Sequence, residues 1–187
     1  MKTSNLVVVA LFAAVIVVLG FLPPITLGIS PVPITAQSMG VMLAGCIIGA
    51  RRGAAAYLLI LVMVVAGLPV LSGGRGGISV LMGPTGGYVV GWIIGAYVTG
   101  LIAQSTVREG QPELRQYIGF FLASIIGGIA VVYAIGIPWL SVAAGMPFSK
   151  AVIVNLPFIP GDLIKAVIAT LAARAVLAGY PMLPSRA

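Results

Sequence analysis

One carboxylate and one amine lie three residues apart in an otherwise apolar segment, PFIPGDLIK (Pro157–Lys165). Asp162 is the only aspartate in the sequence. The two groups together accept and donate charge-assisted hydrogen bonds, which suits the recognition of a polar ligand. The same pair also suits the start of a helix, because Pro160 fits the first turn, Asp162 complements the positive helix end and Lys165 neutralises it.

The cost of charge in an apolar segment favours the ligand-binding interpretation. On insertion scales each charge costs about 2.5–3.5 kcal/mol at the centre of a membrane helix, and intramembrane ionisable residues usually mark a pathway or a ligand site. Serine or asparagine would cap a helix at lower cost. We therefore predict that Asp162 and Lys165 bind a ligand, with helix capping as the alternative.

The composition places this pair in a membrane protein. Hydrophobic side chains make up 60% of the 187 residues, charged side chains make up 7%, and the mean hydropathy is +1.20. A soluble domain carries about 25% charged residues. We predict an all-α integral membrane protein that forms a single domain over residues 1–187.

Six apolar stretches approach the length of about 20 residues that a membrane-spanning helix needs. They are Leu6–Leu22, Ile34–Ala50, Ala54–Leu71, Gly86–Gln104, Tyr117–Ile137 and Pro160–Leu177. The first stretch is predicted to be a retained helix, because its apolar run of about 18 residues exceeds a signal-peptide h-region and no small-x-small cleavage site comes after it. Six spans place both termini on the same side of the membrane.

The distribution of positive charge predicts which side that is. With the termini inside, seven basic residues are cytoplasmic: Lys2, Arg51, Arg52, Arg108, Arg115, Arg174 and Arg186. Three lie towards the outside: Arg75, Lys150 and Lys165. We predict a multi-pass protein of a prokaryotic cytoplasmic membrane with both termini in the cytoplasm.

Three connections on the predicted outer side are unusual. PPITLGISPVPITAQ (Pro23–Gln37) is apolar and proline-rich, as a lid would be, and SGGRGGISVLMGPTGG (Ser72–Gly87) has seven glycines in sixteen residues. MPFSKAVIVNLPFIPGD (Met146–Asp162) is broken at Pro157 and Pro160 and is predicted to form a re-entrant turn. Irregular backbone at membrane depth is tolerated only inside the protein or along a cavity. These segments together predict one outward-facing pocket.

Several kinds of chemistry are excluded by residue type. The sequence has no histidine and one cysteine, Cys46, so neither an intrachain disulfide nor a His/Cys metal cluster can form. Cys46 lies among small residues and is predicted to be a packing residue. The glycine-rich segment lacks both nucleotide-binding spacings, and a single aspartate excludes an aspartyl protease. We predict that the chain is not an enzyme, holds no metal or cofactor and binds no nucleic acid.

An ordered set of motifs links the chain to a known family. GLPVL (Gly67–Leu71), the glycine-rich segment, GPTGGY (Gly83–Tyr88) and PFIPGDLIK occur in that order, and PVPITAQ (Pro31–Gln37) precedes them. Together they resemble the biotin-specific S component of energy-coupling-factor (ECF) transporters, the BioY family, over nearly the whole chain. Leu71 stands where that family often has phenylalanine, which affects the expected shape of the pocket.

The resemblance implies a division of labour between subunits. An S component captures its vitamin from outside and associates with a transmembrane coupling protein and two ATPase subunits, which alone use ATP. Ala10 and Ala14 match the AxxxA pattern at which S components meet the coupling protein, and small residues permit such close helix approach in lipid. These two alanines are therefore predicted to contact that partner.

If the ligand is biotin, as the resemblance implies, its hydrogen-bonding groups match the ion pair to the ureido ring. The ring has two N–H donors and one carbonyl acceptor, which match the carboxylate of Asp162 and the ammonium of Lys165. Six further predicted site residues lie on the outer segments: Tyr88 as an aromatic wall, Arg75, Ser79 and Thr85 as donors to the valerate carboxylate, and Thr35 and Gln37 as lid residues.

The sequence leaves two alternatives open. An S component for another vitamin would have the same fold. A small ion- or proton-coupled transporter acting as a homodimer would instead use Asp162 as a proton carrier, and would work alone in a pH-linked cycle. Co-purification with ATPase subunits, or mass spectrometry of a co-purified ligand, distinguishes these possibilities.

Overall fold

A computed structural model describes residues 3–184, which are helical apart from connecting loops and two isolated β-bridges. The helices are α1 (Thr3–Gly20), α2 (Gln37–Ile48), α3 (Ala50–Val65), α4 (Ile78–Met82), α5 (Gly86–Thr106), α6 (Glu113–Ala123), α7 (Val132–Ala143), α8 (Phe148–Asn155) and α9 (Ile159–Gly179). A π-helical segment, Ser124–Val131, joins α6 to α7, and a 3-10 turn, Leu156–Phe158, joins α8 to α9.

Four helical stretches are long and apolar enough to cross a membrane: α1, α5, Glu113–Ala143 and Phe148–Gly179. The predicted all-α membrane architecture is therefore confirmed. The predicted count of six spans is not confirmed, because α2 has 12 residues and α3 has 16, fewer than the roughly 20 that a perpendicular span needs. The two short helices meet at Gly49, whose φ of +82° breaks the helix between them.

The segment predicted as a re-entrant turn is helical. Residues 148–155 form α8, Pro157 lies in the 3-10 turn, and Pro160 occupies the first turn of α9. A first-turn proline costs no hydrogen bond, because the amide it lacks has no partner within the helix. The two prolines therefore redirect a helical segment, which places the start of α9 beside the other outer loops.

The helix α2 lies inside the bundle, whereas α1 lies at its edge. Nine of the twelve residues of α2 are buried, and four of the eighteen residues of α1 are buried. Cys46, on α2, is buried with its Sγ atom 3.6 Å from Oγ of Ser124. This environment agrees with the predicted packing role of Cys46. The exposed apolar side chains of α1, α3 and α9 suit contact with lipid.

The π-helical segment packs tightly through glycine. A Cβ atom on Gly127 would lie 2.1 Å from Oγ1 of Thr99 on α5, and one on Gly128 would lie 2.5 Å from Cγ of Met42 on α2. Real Cβ atoms do not approach other atoms so closely, so both positions require glycine. A π-helical turn inserts one extra residue and shifts the angular register of the helix after it. The segment thus contributes to the direction in which the start of α7 faces.

The loops that enclose the candidate site lie at one end of the bundle. The lid, defined as residues 21–36, is closed by an antiparallel bridge in which Ile25 and Ile34 exchange two 2.9 Å hydrogen bonds. The glycine-rich loop is closed in the same way between Leu71 and Arg75. Lys2 and Arg186, which contribute to the predicted orientation, lie outside the described residues.

Candidate ligand-binding site

The predicted ion pair forms at the start of α9. Nζ of Lys165 lies 2.8 Å from Oδ1 of Asp162, one helical turn away, and both side chains are largely buried. The same Nζ donates a 2.9 Å hydrogen bond to Oγ of Ser38, at the start of α2. Oη of Tyr133, at the start of α7, donates a 2.5 Å hydrogen bond to Oδ2 of Asp162. Three helices therefore converge on one pair of opposite charges.

These partners argue against a role limited to helix capping. Within residues 3–184, the hydrogen-bond donors to the Asp162 carboxylate are Tyr133 and Lys165, and none is a backbone amide of α9. A capping carboxylate would instead accept from those amides. Burying an ion pair costs several kcal/mol per ion unless other hydrogen bonds satisfy it. The arrangement is a polar cluster facing a cavity, and it suits ligand recognition.

The cluster lines the larger of two neighbouring chambers. The larger chamber has a volume of about 50 Å³, and its polar lining includes Ser38, Tyr133, Asp162 and Lys165. The smaller has a volume of about 30 Å³ and contains Arg75 and Thr85 in its lining. Both chambers share the wall residues Val32, Pro33, Thr35, Tyr88 and Trp92. The two chambers therefore form the two ends of one elongated site beneath the lid.

Tyr88 forms the predicted aromatic wall and is held in place by its hydroxyl group. Its Oη donates a 2.7 Å hydrogen bond to Oδ1 of Asn155, whose amide donates to the carbonyl of Ala151 at 2.7 Å. The ring meets that of Tyr133 edge to face, with centroids 6.4 Å apart. A Cβ atom on Gly136 would lie 2.4 Å from the Tyr88 ring, so glycine there leaves room for it.

Two of the three predicted donors for a ligand carboxylate line the smaller chamber. Nε of Arg75 donates a 3.0 Å hydrogen bond to the carbonyl of Ser72, which leaves further guanidinium N–H groups for a ligand. Burial lowers the pKa of the Arg75 guanidinium, because desolvation disfavours its charged form. Thr85 is buried beside it. Ser79 is exposed on α4 and lines neither chamber, so its predicted contact with the ligand does not fit this geometry.

The two predicted lid residues have different environments. Thr35 lines both chambers, as a lid residue should. Gln37 lines neither, because its amide points into the bundle: Nε2 donates to the carbonyl of Val70 at 2.8 Å, and Oε1 accepts from the amide of Ser72 at 2.8 Å. Oη of Tyr57 also donates to the Gln37 carbonyl at 2.7 Å. Gln37 therefore braces the glycine-rich loop against α2 in this structure, where a lid contact was expected.

Five residues at the site lie outside the sequence-based prediction: Ser38, Trp92, Tyr133, Asn155 and Phe158. Asn155 had a usable signal, since it is a lone amide in an apolar run. The sequence gives no such signal for Tyr133 and Trp92, because aromatic side chains occur throughout membrane spans and at their interfaces. Their roles depend on which helices meet, which no local pattern specifies.

Ala10 and Ala14 lie away from the two chambers, on an exposed face of α1. The buried face of the same helix carries Val9, Ala13 and Ile16. The two alanines are thus available to lipid or to another protein, and their spacing by four residues keeps them on one side of the helix.

The site can recognise a ligand, and it offers no metal centre. Among the described residues, no group of three or more histidine, cysteine, aspartate or glutamate side chains could hold a metal ion. The polar groups instead supply one anionic acceptor, two cationic donors and the hydroxyl groups of Thr35, Ser38, Thr85, Tyr88 and Tyr133 around an apolar wall. Such a set fixes the orientation of a small polar molecule without reacting with it.

The sequence matches a known family along nearly its whole length. The sequence model of the BioY family matches residues 1–182. The chain is 59% identical over 187 residues to "Biotin transporter BioY" of Rhizobium etli, covering 100% of both chains. It is 48% identical over 181 residues to the protein of that name in Rhodobacter capsulatus, covering 92% of each.

A solved structure shows the same fold. The crystal structure of an "S-component for biotin from an ECF-type ABC transporter" superposes with a TM-score of 0.88 at 34% sequence identity. The match covers 97% of this chain and 94% of that chain. The likeness therefore extends over the bundle, the lid and the loops around the two chambers.

Proposed function

The chain belongs to the BioY family, and on that premise we propose that it captures biotin and takes it up across a prokaryotic cytoplasmic membrane as the S component of an ECF-type transporter. The observation that carries this proposal is the buried Asp162–Lys165 pair. It lines a chamber beneath the lid in a chain that matches biotin transporters along its whole length.

The ureido ring of biotin fits the larger chamber by its hydrogen-bonding groups. One ring N–H can donate to the Asp162 carboxylate, and the ring carbonyl beside it can accept from the ammonium of Lys165. Tyr133 holds one carboxylate oxygen from the far side, so the acceptor is oriented before the ligand arrives. The aromatic rings of Tyr88 and Trp92 then cover the apolar ring system.

The valerate chain is directed towards the smaller chamber. The shared wall of the two chambers provides an apolar path between them, and Arg75 stands at its far end as the cationic donor. Thr85 supplies a neutral hydroxyl group beside it. The ligand carboxylate thus faces a cation at one end, and its neutral ureido ring faces the Asp162–Lys165 pair at the other, which fixes the direction of binding.

Binding requires the lid to move. The two chambers have volumes of about 50 and 30 Å³, whereas ligand pockets usually have roughly 300–1,000 Å³. Val32, Pro33 and Thr35 belong to the lid and line both chambers. Displacement of this segment would merge the chambers and admit the ligand from the membrane surface.

The orientation and the partners are part of the same proposal. Both termini lie in the cytoplasm, which places the lid and the two chambers on the outer side and leaves α2 and α3 as the two short spans of a six-span protein. The exposed alanines Ala10 and Ala14 form the contact with a transmembrane coupling protein. Two ATPase subunits then supply the energy, since this chain has no recognisable nucleotide-binding motif.

Calorimetric titration of biotin into purified, monodisperse protein tests the ligand. We expect saturable 1:1 binding, while thiamine and riboflavin in parallel titrations give no heat of binding. Mass spectrometry of ligand extracted from freshly purified protein should detect biotin. Absence of biotin binding in the full-length protein, or a clear preference for another vitamin, would contradict the proposal.

A further inference from the structure

A groove between α6 and α9 runs from the middle of the bundle to the end opposite the two chambers. Its apolar part, about 320 Å³, lies between Ile118, Phe121 and Leu122 on α6 and Val167 and Leu171 on α9. One helical turn further towards that end, the groove becomes polar, with a volume of about 540 Å³. Its shape and polarity therefore match an amphiphile with its apolar chain along the helices.

The apolar and polar parts meet at Arg174 and Tyr117. Tyr117 lines the apolar part and Arg174 the polar part, and the guanidinium carbon lies 6.0 Å from the centroid of the Tyr117 ring. Nη2 of Arg174 donates to Oε1 of Glu113 at 2.5 Å. The groove therefore carries an ion pair where an amphiphile would place its head group.

The polar part also contains one donor and one acceptor without a partner. Among residues 3–184, nothing accepts from the buried Nε of Arg174, and nothing donates to the buried Oε1 of Gln116. Gln116 is 4% exposed, and its own amide nitrogen donates to the carbonyls of Arg108 and Gln111. Those two hydrogen bonds fix the direction of its oxygen. Buried polar atoms of this kind usually have partners, and a small movement of the side chains that cover them would offer each atom to a ligand group of opposite character.

We propose that this groove binds one phospholipid molecule with a phosphoethanolamine head group. The phosphate accepts from the guanidinium of Arg174, a geometry that arginine forms readily with phosphate oxygens. The ammonium donates to Oε1 of Gln116 and to the carboxylate of Glu113. An acyl chain occupies the apolar part between α6 and α9.

The charges of the groove select this head group over the other common ones. A phosphatidylglycerol head group has no ammonium to pair with Glu109 and Glu113, which both line the polar part. A phosphatidylcholine head group is zwitterionic, but its quaternary nitrogen has no N–H to donate to Gln116. Of these three head groups, only phosphoethanolamine has a primary ammonium, which can pair with the acidic side chains and also donate to Oε1 of Gln116.

Native mass spectrometry of the purified full-length protein, titrated with dioleoyl phospholipids, tests the proposal. We expect the phosphatidylethanolamine adduct to form about tenfold more tightly than the phosphatidylcholine and phosphatidylglycerol adducts, the effect of one charge-assisted hydrogen bond. Equal affinity for the three lipids in the wild-type protein would overturn the proposal without any variant. The measurement is independent of biotin, so it can fail while the proposed function stands.

Paired variants locate the site. Arg174→Gln should weaken the adducts of all three lipids about tenfold, because each carries the phosphate that this guanidinium binds, whereas Arg51→Gln, at an exposed arginine on α3, should not. Leu171→Trp should obstruct the apolar part and weaken adduct formation about tenfold, whereas Val62→Trp, on the exposed face of α3, should not. If the groove variant and its control give the same result in both pairs, the groove is not the binding site. Leu171 is exposed, so its variant should fold even if Arg174→Gln is not monodisperse.

Discussion

The phenol of Tyr133 donates a 2.5 Å hydrogen bond to Oδ2 of Asp162, from a position 29 residues earlier in the chain. Lys165 holds Oδ1 of the same carboxylate at 2.8 Å. One donor comes from α7 and the other from α9, so the plane of the carboxylate is fixed by two helices. An acceptor oriented in advance loses less entropy when a ligand binds.

Asp162→Asn tests the acceptor itself. The amide replaces one carboxylate oxygen by an NH₂ group, which would face a donor of the ureido ring, and a lost charge-assisted hydrogen bond is worth about 1.5–3 kcal/mol. We expect the Kd for biotin to rise at least tenfold in isothermal titration of monodisperse protein. Lys165→Met should weaken binding too. An unchanged Kd in Asp162→Asn would mean that the pair only stabilises the start of α9.

Tyr133→Phe tests the orientation of the carboxylate. The substitution removes one hydroxyl group and keeps the ring that packs against Tyr88, so the Kd for biotin should rise roughly tenfold through loss of one hydrogen bond to a charged group. Tyr97→Phe, at a half-exposed tyrosine on α5, is the matched control and should bind normally. Wild-type affinity in Tyr133→Phe would show that Lys165 alone orients the carboxylate.

Gln37→Leu separates a bracing role from a ligand contact. The leucine would leave the buried amide of Ser72 without an acceptor, which costs about 1–3 kcal/mol of folding free energy, whereas the side chain of Gln37 lines neither chamber. We expect a lower Tm with a Kd for biotin within threefold of wild type. The reverse result, normal Tm and much weaker binding, would restore the sequence-based expectation that Gln37 closes the lid over the ligand.

Ala10→Leu combined with Ala14→Leu tests the exposed face of α1. The added side chains prevent close helix approach, so the amount of coupling protein that co-purifies should fall several-fold while the Kd for biotin is unchanged. Ala143→Leu combined with Ala175→Leu, two exposed alanines on α7 and α9, is the matched control and should assemble normally. Wild-type yield of the complex from the α1 variant would place the contact elsewhere.

Single cysteines in a Cys46→Ala background test the orientation. Glu109→Cys, between α5 and α6, and cysteines at either terminus should resist an impermeant thiol reagent in intact cells. Ser79→Cys, exposed on α4 at the opposite end, should be labelled, which controls for access of the reagent. Labelling of Glu109→Cys from outside together with protection of Ser79→Cys would reverse the proposed orientation and contradict uptake from the outside.

The class of the protein and its central ion pair follow from composition and from local spacing. The composition alone excluded a soluble protein. A surface that faces water on all sides needs more charged residues than this chain has, however its helices pack. The spacing of Asp162 and Lys165 predicted their contact, since residues three apart on any α-helix face the same side. The proline in the first turn of α9 marked the start of that helix for the same local reason.

The packing of the helices determines which side chains join that pair and which face away from it. Ser38 reaches Lys165 across 127 residues of sequence, and Tyr133 faces the cavity from a helix that comes directly after a π-helical segment. Gln37 turns into the bundle although its neighbour Ser38 turns towards the site. The direction in which each side chain points depends on how the helices approach one another through small residues and on the angular register of each helix. Neither is encoded in a local sequence pattern. The exposure of Ser79 and the bracing role of Gln37 are therefore visible only in the packed structure.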